Sequence, residues 1–235
     1  MLKNILITGA SSGIGLALCN LLLEKGDYCI WGLDRKIQSY FINEPKYKHL
    51  RCDLLDFENT KNIIEENGFS KLTLNAVVNC AGTMPTTPIF KLDPKIALDT
   101  FSLNCVAPLY LAKLLIKPLA RSKQSLIVNI TSIAAELNIP GEVIYGSTKA
   151  ALKHASECMS VELNRFGICV NCVAPALVMT AMTEHLTDSQ RSYMLSKQGY
   201  ESQVTPKDVA ATILYLINGP ATTTGSTIYV GGISR

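Results

Sequence analysis

Charged and aromatic residues are scarce in this sequence, at 17% and 7% of its 235 positions, with one Trp and three His. The net charge is only +3, and the nearest approach to a basic run is Lys46, Lys48 and Arg51. Proteins whose main function is to bind nucleic acid present a clustered basic surface. The sequence therefore argues against a nucleic-acid partner.

Long apolar runs are absent as well. Gly9 interrupts the apolar start too early for the core of a signal peptide, and no uninterrupted apolar run approaches the ~20 residues that span a bilayer. We therefore expect a cytoplasmic protein without a membrane partner.

The eight cysteines form neither a disulfide framework nor a metal-binding pattern. They lie mostly in apolar segments of a chain much longer than disulfide-rich scaffolds, so we expect buried free thiols. Cys169 and Cys172 are spaced as CxxC, but Val170 and Asn171 continue a strand pattern and no second ligand pair follows. No metal site is predicted.

What the chain does contain is an alternation of strand and helix patterns, with 48% apolar residues. Such a chain can bury one sizeable core, and the alternation is typical of α/β proteins with a parallel sheet. We predict one domain over residues 1–235, a Rossmann-type doubly wound parallel sheet of about seven strands with helices on both faces. The short stretch between Asp34 and Asp53 predicts a loop or a short helix. The predicted strands lie near 2–8, 27–34, 47–52, 74–79, 125–131, 168–174 and 226–230, and the predicted helices at about 13–25, 56–67, 94–119, 143–166 and 206–218.

A glycine-rich segment, Thr8-Gly9-Ala10-Ser11-Ser12-Gly13-Ile14-Gly15, follows the first strand and opens the first helix. Free N–H groups at a helix N-terminus attract a pyrophosphate, and glycines let the backbone approach it. This is the context that a dinucleotide-binding loop requires. The residues predicted to contact a cofactor here are Gly9, Ser11, Ser12, Gly13, Ile14 and Gly15.

Tyr145 and Lys149 are four residues apart in a predicted helix, so a phenol and an ammonium share one helix face. A free tyrosine titrates near pH ~10, and its use as a base near neutrality requires a pKa lowered by roughly 3 units, or about 4 kcal/mol. At ~5 Å and an effective dielectric constant of ~20, one lysine charge supplies about 3 kcal/mol. An oxidised nicotinamide would add the rest, so the pair predicts acid–base chemistry beside a dinucleotide.

With these two motifs the chain resembles the short-chain dehydrogenases/reductases, in the branch with a TGxxxGxG loop and a YxxxK pair. The resemblance covers nearly the whole chain and implies reversible hydride transfer between a nicotinamide cofactor and the carbon of an alcohol or ketone. Its further motifs occur in the family's order and are Asn79-Cys80-Ala81-Gly82, Asn104, Ser132, and Asn171-Cys172-Val173-Ala174-Pro175 leading to Thr180.

The end of the second predicted strand bears on the choice of cofactor. Asp34 follows Gly15 at close to the ~20 residues expected for the acid that hydrogen-bonds the ribose 2′-hydroxyl of NAD. A 2′-phosphate would meet this carboxylate at a cost of about 1.7 kcal/mol at ~5 Å, even in a water-like dielectric. Ser12 stands where NADP-preferring relatives often carry a basic residue, whereas Arg35 is able to turn toward a phosphate. NAD(H) is favoured, and NADP(H) stays open.

The resemblance implies further cofactor contacts near the ends of the third, fourth and sixth strands, the edge at which ligands lie in open parallel sheets. These contacts are Asp53, Leu54, Asn79, Ala81, Gly82, Pro175, Val178 and Thr180. For Asp53 a capping role is the alternative. Ala176 departs from the family's glycine, and its methyl group is tolerated if the residue keeps a negative φ.

The resemblance also implies a catalytic set of Asn104, Ser132, Tyr145 and Lys149. Tyr145 would exchange the hydroxyl proton, Lys149 would lower the pKa of Tyr145 and hold the nicotinamide ribose, and Ser132 would steady the substrate oxygen. Thr131 is the competing hydroxyl, but strand alternation should turn it to the other face.

Asn104 is expected to act through its carbonyl oxygen. Pro108 has no N–H, so in a single helix over 94–119 the carbonyl of Asn104 would lack its partner. An exposed carbonyl can hold a water, which in the family relays protons to the active lysine. A helix kink without chemistry is the alternative.

Substrate identity should reside in the segment 181–204, which follows Thr180 and is expected to cover the site as a lid. No basic cluster in it marks a carboxylate or phosphate clamp. The stretch from Met182 to Arg191 resembles the lid of 3-oxoacyl-ACP reductases, whereas Asp34 and the short crossover after it resemble the dihydrodiol dehydrogenases. A 3-oxoacyl thioester and a cyclic alcohol or dihydrodiol both stay open as substrates.

Two functions from other classes compete with an enzyme: a catalytically silent dinucleotide sensor, and a structural or interaction protein. A silent sensor usually loses the tyrosine or the lysine, and an interaction protein needs no aligned Ser132, Tyr145 and Lys149. An alcohol–ketone oxidoreductase is therefore favoured.

The two longest predicted helices indicate self-association. In relatives the corresponding pair packs against its copy in a second subunit, so we expect a homotetramer, with a dimer as the second choice. The apolar residues expected to pack against the sheet or against such a partner include Leu111, Leu114, Leu115, Leu152, Met159 and Val161.

Overall fold

The computed structural model describes residues 2–36, 40–41, 43–200, 202–220 and 222–234. Seven strands form one sheet in the order β3-β2-β1-β4-β5-β6-β7, with all neighbours parallel. The predicted doubly wound sheet is confirmed. The strands are β1 (Lys3–Thr8), β2 (Tyr28–Asp34), β3 (Tyr47–Arg51), β4 (Ala76–Asn79), β5 (Ser125–Ile130), β6 (Ile168–Pro175) and β7 (Thr227–Val230). The α-helices are α1 (Gly13–Lys25), α2 (Phe57–Glu66), α3 (Pro94–Phe101), α4 (Ala107–Ala120), α5 (Val143–Glu162), α6 (Asp188–Leu195) and α7 (Pro206–Asn218).

The central strands are mainly apolar because both faces of the sheet are covered. Every residue of β5 and β6 is buried, as parallel sheets with helices on both faces require. Side chains alternate between the faces, so Ile5 and Ile7 pack with α1 and α7, whereas Leu6 packs with α4. The sheet therefore separates two hydrophobic cores and presents its loops at the strand ends.

The helix predicted over 94–119 contains a π-helical segment, Ser102–Val106, between α3 and α4. The N–H of Ala107 bonds to the carbonyl of Ser102, five residues back. The expectation of one regular α-helix was therefore wrong at Asn104, which lies inside the wider turn. Proline removes one hydrogen bond of the helix, and a π turn just before Pro108 adjusts the pattern there.

Two helix limits follow local signals in the sequence. Asp93 caps α3 by accepting from the N–H of Lys95, with Pro94 at the first helical position. The helix predicted over 143–166 ends earlier, at Glu162, and the chain continues as a short 3-10 turn to Phe166. Gly167 ends that turn at φ 71°, the left-handed conformation that favours glycine.

The apolar positions proposed for a partner serve mainly the protein's own core. Leu111, Leu115 and Leu152 are buried, and Leu114 and Met159 pack partly against the core. Val161 alone of that set is largely exposed, at 78%. The other exposed apolar side chains between the start of α3 and the end of α5 were not in the predicted set: Ile96, Leu98, Val106 and Val143.

The stretch Pro94–Ala120 is long and apolar enough to cross a membrane by length and composition alone. Its most apolar 18-residue window has a mean hydropathy of 1.3, but half of that window is buried inside the fold. Buried core helices pass the same test, so the stretch is weak evidence for a membrane span.

All eight cysteines are free thiols. The expectation that they are buried holds for five of them and fails for Cys158, which is exposed on α5, and for the half-buried Cys29 and Cys80. Cys80, immediately after β4, lines a cleft.

The predicted lid, 181–204, contains a helix that the sequence pattern did not predict. This helix, α6, begins with a reciprocal capping box between Thr187 and Gln190. A parallel bridge joins Val204, the last residue of the segment, to Val178, three residues before the segment begins. Residue 201, the ends of the proposed domain at 1 and 235, and residues 37–39 and 42 of the second crossover lie outside the described residues.

Candidate active site

A cleft of about 530 Å³ opens at the carboxyl edge of the sheet. Its wall includes residues that directly follow β1, β2, β3, β4, β5 and β6. The strand order reverses between β1 and β4, which is where ligands bind in open α/β sheets. The predicted site residues in the wall are Gly9, Ser11, Ser12, Gly13, Ile14, Gly15, Asp34, Arg35, Asp53, Leu54, Ala81, Gly82, Ser132, Tyr145, Lys149, Pro175, Val178 and Thr180.

The glycine loop is shaped by close backbone approaches. Gly9 has φ 66°, and a Cβ atom there would lie 2.9 Å from the amide nitrogen of Ala81. A Cβ atom at Gly15 would lie 2.2 Å from the carbonyl oxygen of Gly9. Any side chain at either position would thus push the loop out of place.

The N-terminus of α1 faces the cleft without a cap. The N-cap residue Ser12 makes no side-chain hydrogen bond to the helix, and the first turn contains no acidic residue. The backbone N–H groups of this turn and their partial positive charge are therefore directed at the cleft, where an anionic group would satisfy them.

Asp34 is held in place by the glycine loop. One of its carboxylate oxygens accepts from the N–H of Ser11 at 3.1 Å and from its hydroxyl at 2.6 Å, and the other accepts from the N–H of Lys36 at 2.9 Å. Arg35 and Lys36 are exposed beside it in the cleft wall. The sequence analysis missed Lys36, which adds a second basic residue at this end.

Asp53 does not cap the helix that follows it. Its carboxylate accepts from the N–H of Leu55, whereas Asp56 caps α2 by accepting from the N–H of Asn59. The capping role considered for Asp53 belongs to Asp56. Asp53 and Leu54 remain in the cleft wall.

Asn79 and Asn104 lie behind the wall rather than in it. Asn79 is buried, and its amide donates to Asn129 at 2.7 Å, which donates in turn to the Ser156 hydroxyl at 2.8 Å. This chain ties β4 to β5 and to α5. The side chain of Asn79 thus braces the sheet beneath the cleft.

Asn104 joins the loop after β4 to α5 through its side chain. Its side-chain oxygen accepts from the N–H of Thr83 at 2.9 Å. Its side-chain NH₂ group donates to the Thr83 backbone carbonyl at 2.8 Å and to the Thr148 hydroxyl at 3.0 Å. Thr148 donates to the backbone carbonyl of Tyr145. Gly82 permits this arrangement, because a Cβ atom there would lie 3.0 Å from the Asn104 side-chain oxygen and 3.6 Å from Lys149 Nζ.

Lys149 is buried, and its ammonium donates to the carbonyl oxygen of Ile130 at 2.8 Å. Burial lowers its pKa from the ordinary value of 10.5 to about 8, partly opposed by the Cys80, Cys172 and Cys105 thiols. Burial disfavours the charged form of the Lys149 side chain, because its hydrogen-bond partner, the Ile130 carbonyl, is neutral.

Burial also controls the pKa of Tyr145, and it raises that pKa above the ordinary value. The adjoining Ser132 hydroxyl, through a hydrogen bond, lowers the pKa, and the charge of Glu142 raises it. Burial therefore outweighs any lowering of this pKa by Lys149 in this structure, and the role of Lys149 in lowering the pKa of Tyr145 stays a prediction. The Lys149 ammonium lies 5.7 Å from the centre of the phenol ring and is bonded to Ile130 instead.

Ser132 directs its hydroxyl into the cleft at the end of β5. The hydroxyl oxygen accepts from the N–H of Ala134 at 3.1 Å, which begins a short 3-10 turn. The Thr131 hydroxyl donates to the carbonyl of Val173 at 3.3 Å, so it is engaged within the sheet. Ser132 is the hydroxyl that stands beside Tyr145.

Ala176 is accommodated without strain. No non-glycine residue among those described has a positive φ, and a Cβ atom at Gly231 would lie 2.7 Å from the Ala176 methyl. Gly231 thus provides the room that the methyl needs. Beyond it, the Thr180 methyl approaches within 3.4 Å of the position that a Cβ atom would take at Gly13, so the sixth-strand loop meets the glycine loop.

Glu142 is the principal site residue that the sequence analysis missed. It is 3% exposed, lines the cleft, and has no hydrogen-bond partner for either carboxylate oxygen among the residues of the described part of the chain. Burial raises its pKa from 4.5 to about 7. Its position three residues before Tyr145, at the start of the same helix, is the signal that could have revealed it.

No group of three His, Cys, Asp or Glu side chains within the described ranges is arranged to hold a metal ion. The groups of the cleft wall that bear on its chemistry include the glycine loop, the Tyr145 phenol, the Lys149 ammonium, the Ser132 hydroxyl and the Glu142 carboxyl group.

Comparisons with known proteins agree with this geometry. A family model described as short chain dehydrogenase matches residues 3–191. The chain is 32% identical over 234 residues to the 3-oxoacyl-[acyl-carrier-protein] reductase FabG of Rickettsia conorii, covering 98% of this chain and 95% of that relative. The solved structure of 4-hydroxyisoleucine dehydrogenase complexed with NADH is similar at a TM-score of 0.90 and 29% identity, covering 98% of both chains. ElxO with NADP bound is similar at a TM-score of 0.86 and 26% identity, covering 98% of this chain and 97% of the other.

The lowered pKa of Lys149 predicts a pH-dependent gain in stability when this residue is replaced. The folded-state pKa of about 8 lies below the unfolded value near 10.5, so the cost of burying the charge is fully present below pH ~8 and disappears as the pH rises toward ~10.5. Lys149→Met should therefore gain more free energy of unfolding relative to wild type at pH ~7 than at pH ~10, by on the order of 2 kcal/mol.

Urea denaturation at the two pH values measures this difference. Lys117→Met, on the exposed side of α4, is the matched control and should show no such pH dependence. Equal effects of Lys149→Met at both pH values would contradict the assignment of a lowered pKa to Lys149.

Proposed function

Because the chain belongs to the short-chain dehydrogenase family, we propose that it is an NAD(P)(H)-dependent enzyme that interconverts a secondary alcohol and a ketone. The observation that carries this proposal is the placement of Ser132, Tyr145 and Lys149 in the wall of the same cleft that receives the uncapped N-terminus of α1. A silent sensor or an interaction protein would not need this combination. We propose a cytoplasmic location for the enzyme.

The residues present fit a nicotinamide dinucleotide. The N–H groups at the start of α1 would hold the pyrophosphate, Asp34 the adenosine ribose, and Asp53 with Leu54 the adenine. Lys149 would hold the nicotinamide ribose, and Val178 with Thr180 the carboxamide. When bound, the cofactor supplies or accepts the hydride.

Proton transfer falls to Tyr145 in this proposal. Its pKa is raised by burial, so near neutral pH the phenol carries the proton that a ketone oxygen needs on reduction. Ser132 would hold the same oxygen through its hydroxyl as negative charge develops there. Asn104 supports the arrangement by fixing Thr148 and, through it, the backbone of Tyr145.

The substrate end of the cleft is largely apolar. Its side chains include Met84, Ile139, Leu177, Met182 and Met194. Such a wall suits a 3-oxoacyl thioester, the substrate type named by the Rickettsia conorii relative, and it also suits a cyclic alcohol or dihydrodiol. Met182 and Met194 come from the lid, 181–204, so lid closure would help to select among these substrates.

Tyr145→Phe should lower turnover at least about 10²-fold, because it removes the proton donor and keeps the ring. The affinity for NADH, measured by fluorescence titration, should stay nearly unchanged. Tyr215→Phe, on the exposed surface of α7, is the matched control and should retain wild-type turnover. A Tyr145→Phe enzyme with most of its turnover would exclude Tyr145 as the acid–base group.

For the cofactor, we expect NADH to bind at least about tenfold more tightly than NADPH, because the Asp34 carboxylate would repel a 2′-phosphate. Asp34→Asn should reduce this preference, since the amide is neutral and nearly isosteric. Fluorescence titrations with both cofactors measure the ratio. Equal or reversed affinities in the wild-type enzyme would refute the expectation and would assign the choice to Arg35 and Lys36, which are exposed in the same wall.

We also propose a homotetramer, with a dimer as the second choice. The exposed Leu98, Val106, Val143 and Val161 on α3 to α5 support an interface there. Static light scattering at micromolar concentration should give a multiple of the subunit mass of 25.6 kDa, and Val161→Glu should lower the mass while Asn62→Glu on α2 does not. A single-subunit mass for the wild-type protein would refute self-association.

A further inference from the structure

Glu142 lines the cleft, and its buried carboxylate has no hydrogen-bond partner in the part of the chain that the structure describes. The residue is 3% exposed, and neither side-chain oxygen accepts a hydrogen bond from any residue that the structure describes. A buried carboxylate is costly unless a donor or a cation satisfies it. A ligand in the cleft is in a position to supply that partner.

The backbone holds Glu142 firmly at this place. Its N–H donates to the carbonyl of Ile139 at 3.1 Å, and its carbonyl accepts from the N–H of Gly146 at 2.8 Å. Gly141, immediately before it, has φ 83° and accepts from the N–H of Thr87 at 2.8 Å. The turn that carries Glu142 is thus tied to α5 on one side and to the loop after β4 on the other.

No cation among the residues that the structure describes is paired with this carboxylate. The neighbouring wall is apolar, with Met84, Ala134, Leu177 and Met194 in one hydrophobic cluster with Tyr145. Among the described residues of the wall, the basic ones are Arg35 and Lys36 at the opposite, Asp34 end, and Lys149, whose ammonium is bonded to the Ile130 carbonyl. A cationic ligand would supply the missing positive charge.

Glu142 is also close to the proposed reacting centre. It stands three residues before Tyr145 at the start of the same helix, and side chains at this spacing are about 5–6 Å apart at their Cβ atoms. Its charge acts on the Tyr145 phenol. A group bound to Glu142 would lie within a few bonds of a carbon whose oxygen meets Tyr145.

From this geometry, and resting on the proposed function, we propose that the substrate is an amino alcohol or amino ketone whose ammonium group binds Glu142 while its carbinol or carbonyl oxygen meets Tyr145 and Ser132. An ammonium has three donors for two unpartnered oxygens and neutralises the charge, whereas one hydroxyl satisfies one oxygen and leaves the charge. An unsubstituted 3-oxoacyl chain has no donor to offer and would bury the carboxylate further. Glu142 is therefore a specificity-determining residue that favours cationic substrates over neutral ones.

The test compares matched alcohols at pH ~8, where the amine is protonated and Glu142 is mostly ionised. The probes are 2-aminocyclohexanol, 2-methylcyclohexanol and 1,2-cyclohexanediol, with reduction of the nicotinamide cofactor as the readout. The wild-type kcat/KM should favour the amino alcohol over the methyl compound by at least about tenfold. Glu142→Gln should bring this ratio close to one, Glu142→Asp should retain part of it, and Glu162→Gln, an exposed change on the same helix, should keep the wild-type ratio.

A ratio that is unchanged in Glu142→Gln would overturn the proposal, as would a wild-type enzyme that turns over the methyl compound as well as the amine. A preference for the diol equal to that for the amine would overturn the ammonium assignment and would leave Glu142 as a hydroxyl acceptor. Calorimetric binding of 2-aminocyclohexanol separates these outcomes from a failure of the proposed function. Binding to the wild-type protein that is lost in Glu142→Gln supports the Glu142 site even if no alcohol is oxidised, and no binding to the wild-type protein refutes it.

Discussion

The site depends on the close approach of the loops that follow β1 and β4. The N–H of Ala81 donates to the Thr8 hydroxyl at 3.0 Å, and a Cβ atom at Gly9 would lie 2.9 Å from the same nitrogen. Only glycine at position 9 lets the two backbones meet at this distance. Because the strand order reverses between these strands, their contact sets both the direction of α1 and the start of the loop that Asn104 holds. The cofactor end and the proton-transfer end of the cleft are therefore built from one contact.

Burial then sets the electrostatics of the cleft. It raises the pKa of Tyr145 and Glu142 and lowers that of Lys149, in each case against the charged form. Burial therefore favours the neutral phenol, carboxyl group and amine more than water would. Burial also makes the pKa of each of these three side chains sensitive to the charge of a bound ligand. The electrostatics of this part of the cleft therefore depend on the ligand as well as on the protein.

The fold was predictable because parallel strands that are buried on both faces leave short, mainly apolar segments in the sequence, and the glycine loop and Tyr145 occur at fixed places in the order of those segments. Features that depend on contacts between distant segments were not predictable in the same way. The π turn at Asn104 and the hydrogen bonds of its side chain to Thr83 and Thr148 require the loop after β4 to be in place. The pKa of Tyr145 follows burial, which helical spacing to Lys149 does not measure. The spacing of Glu142 to Tyr145 is visible in the sequence, but the lack of a partner for its carboxylate appears only in three dimensions.

The substitution at Ala176 illustrates how such distant contacts preserve a site. A methyl at this position occupies space beside the chain after β7, and Gly231 leaves that space open, since a Cβ atom there would lie 2.7 Å from both the Ala176 methyl and a Val204 methyl. Val204 also bridges to Val178 and so closes the lid segment. These three positions therefore pack as one unit: Ala176, Gly231 and, at the base of the lid, Val204. A change at any of the three would reach Val178 and Thr180, and through Thr180 the glycine loop, without altering a residue that is proposed to contact the cofactor.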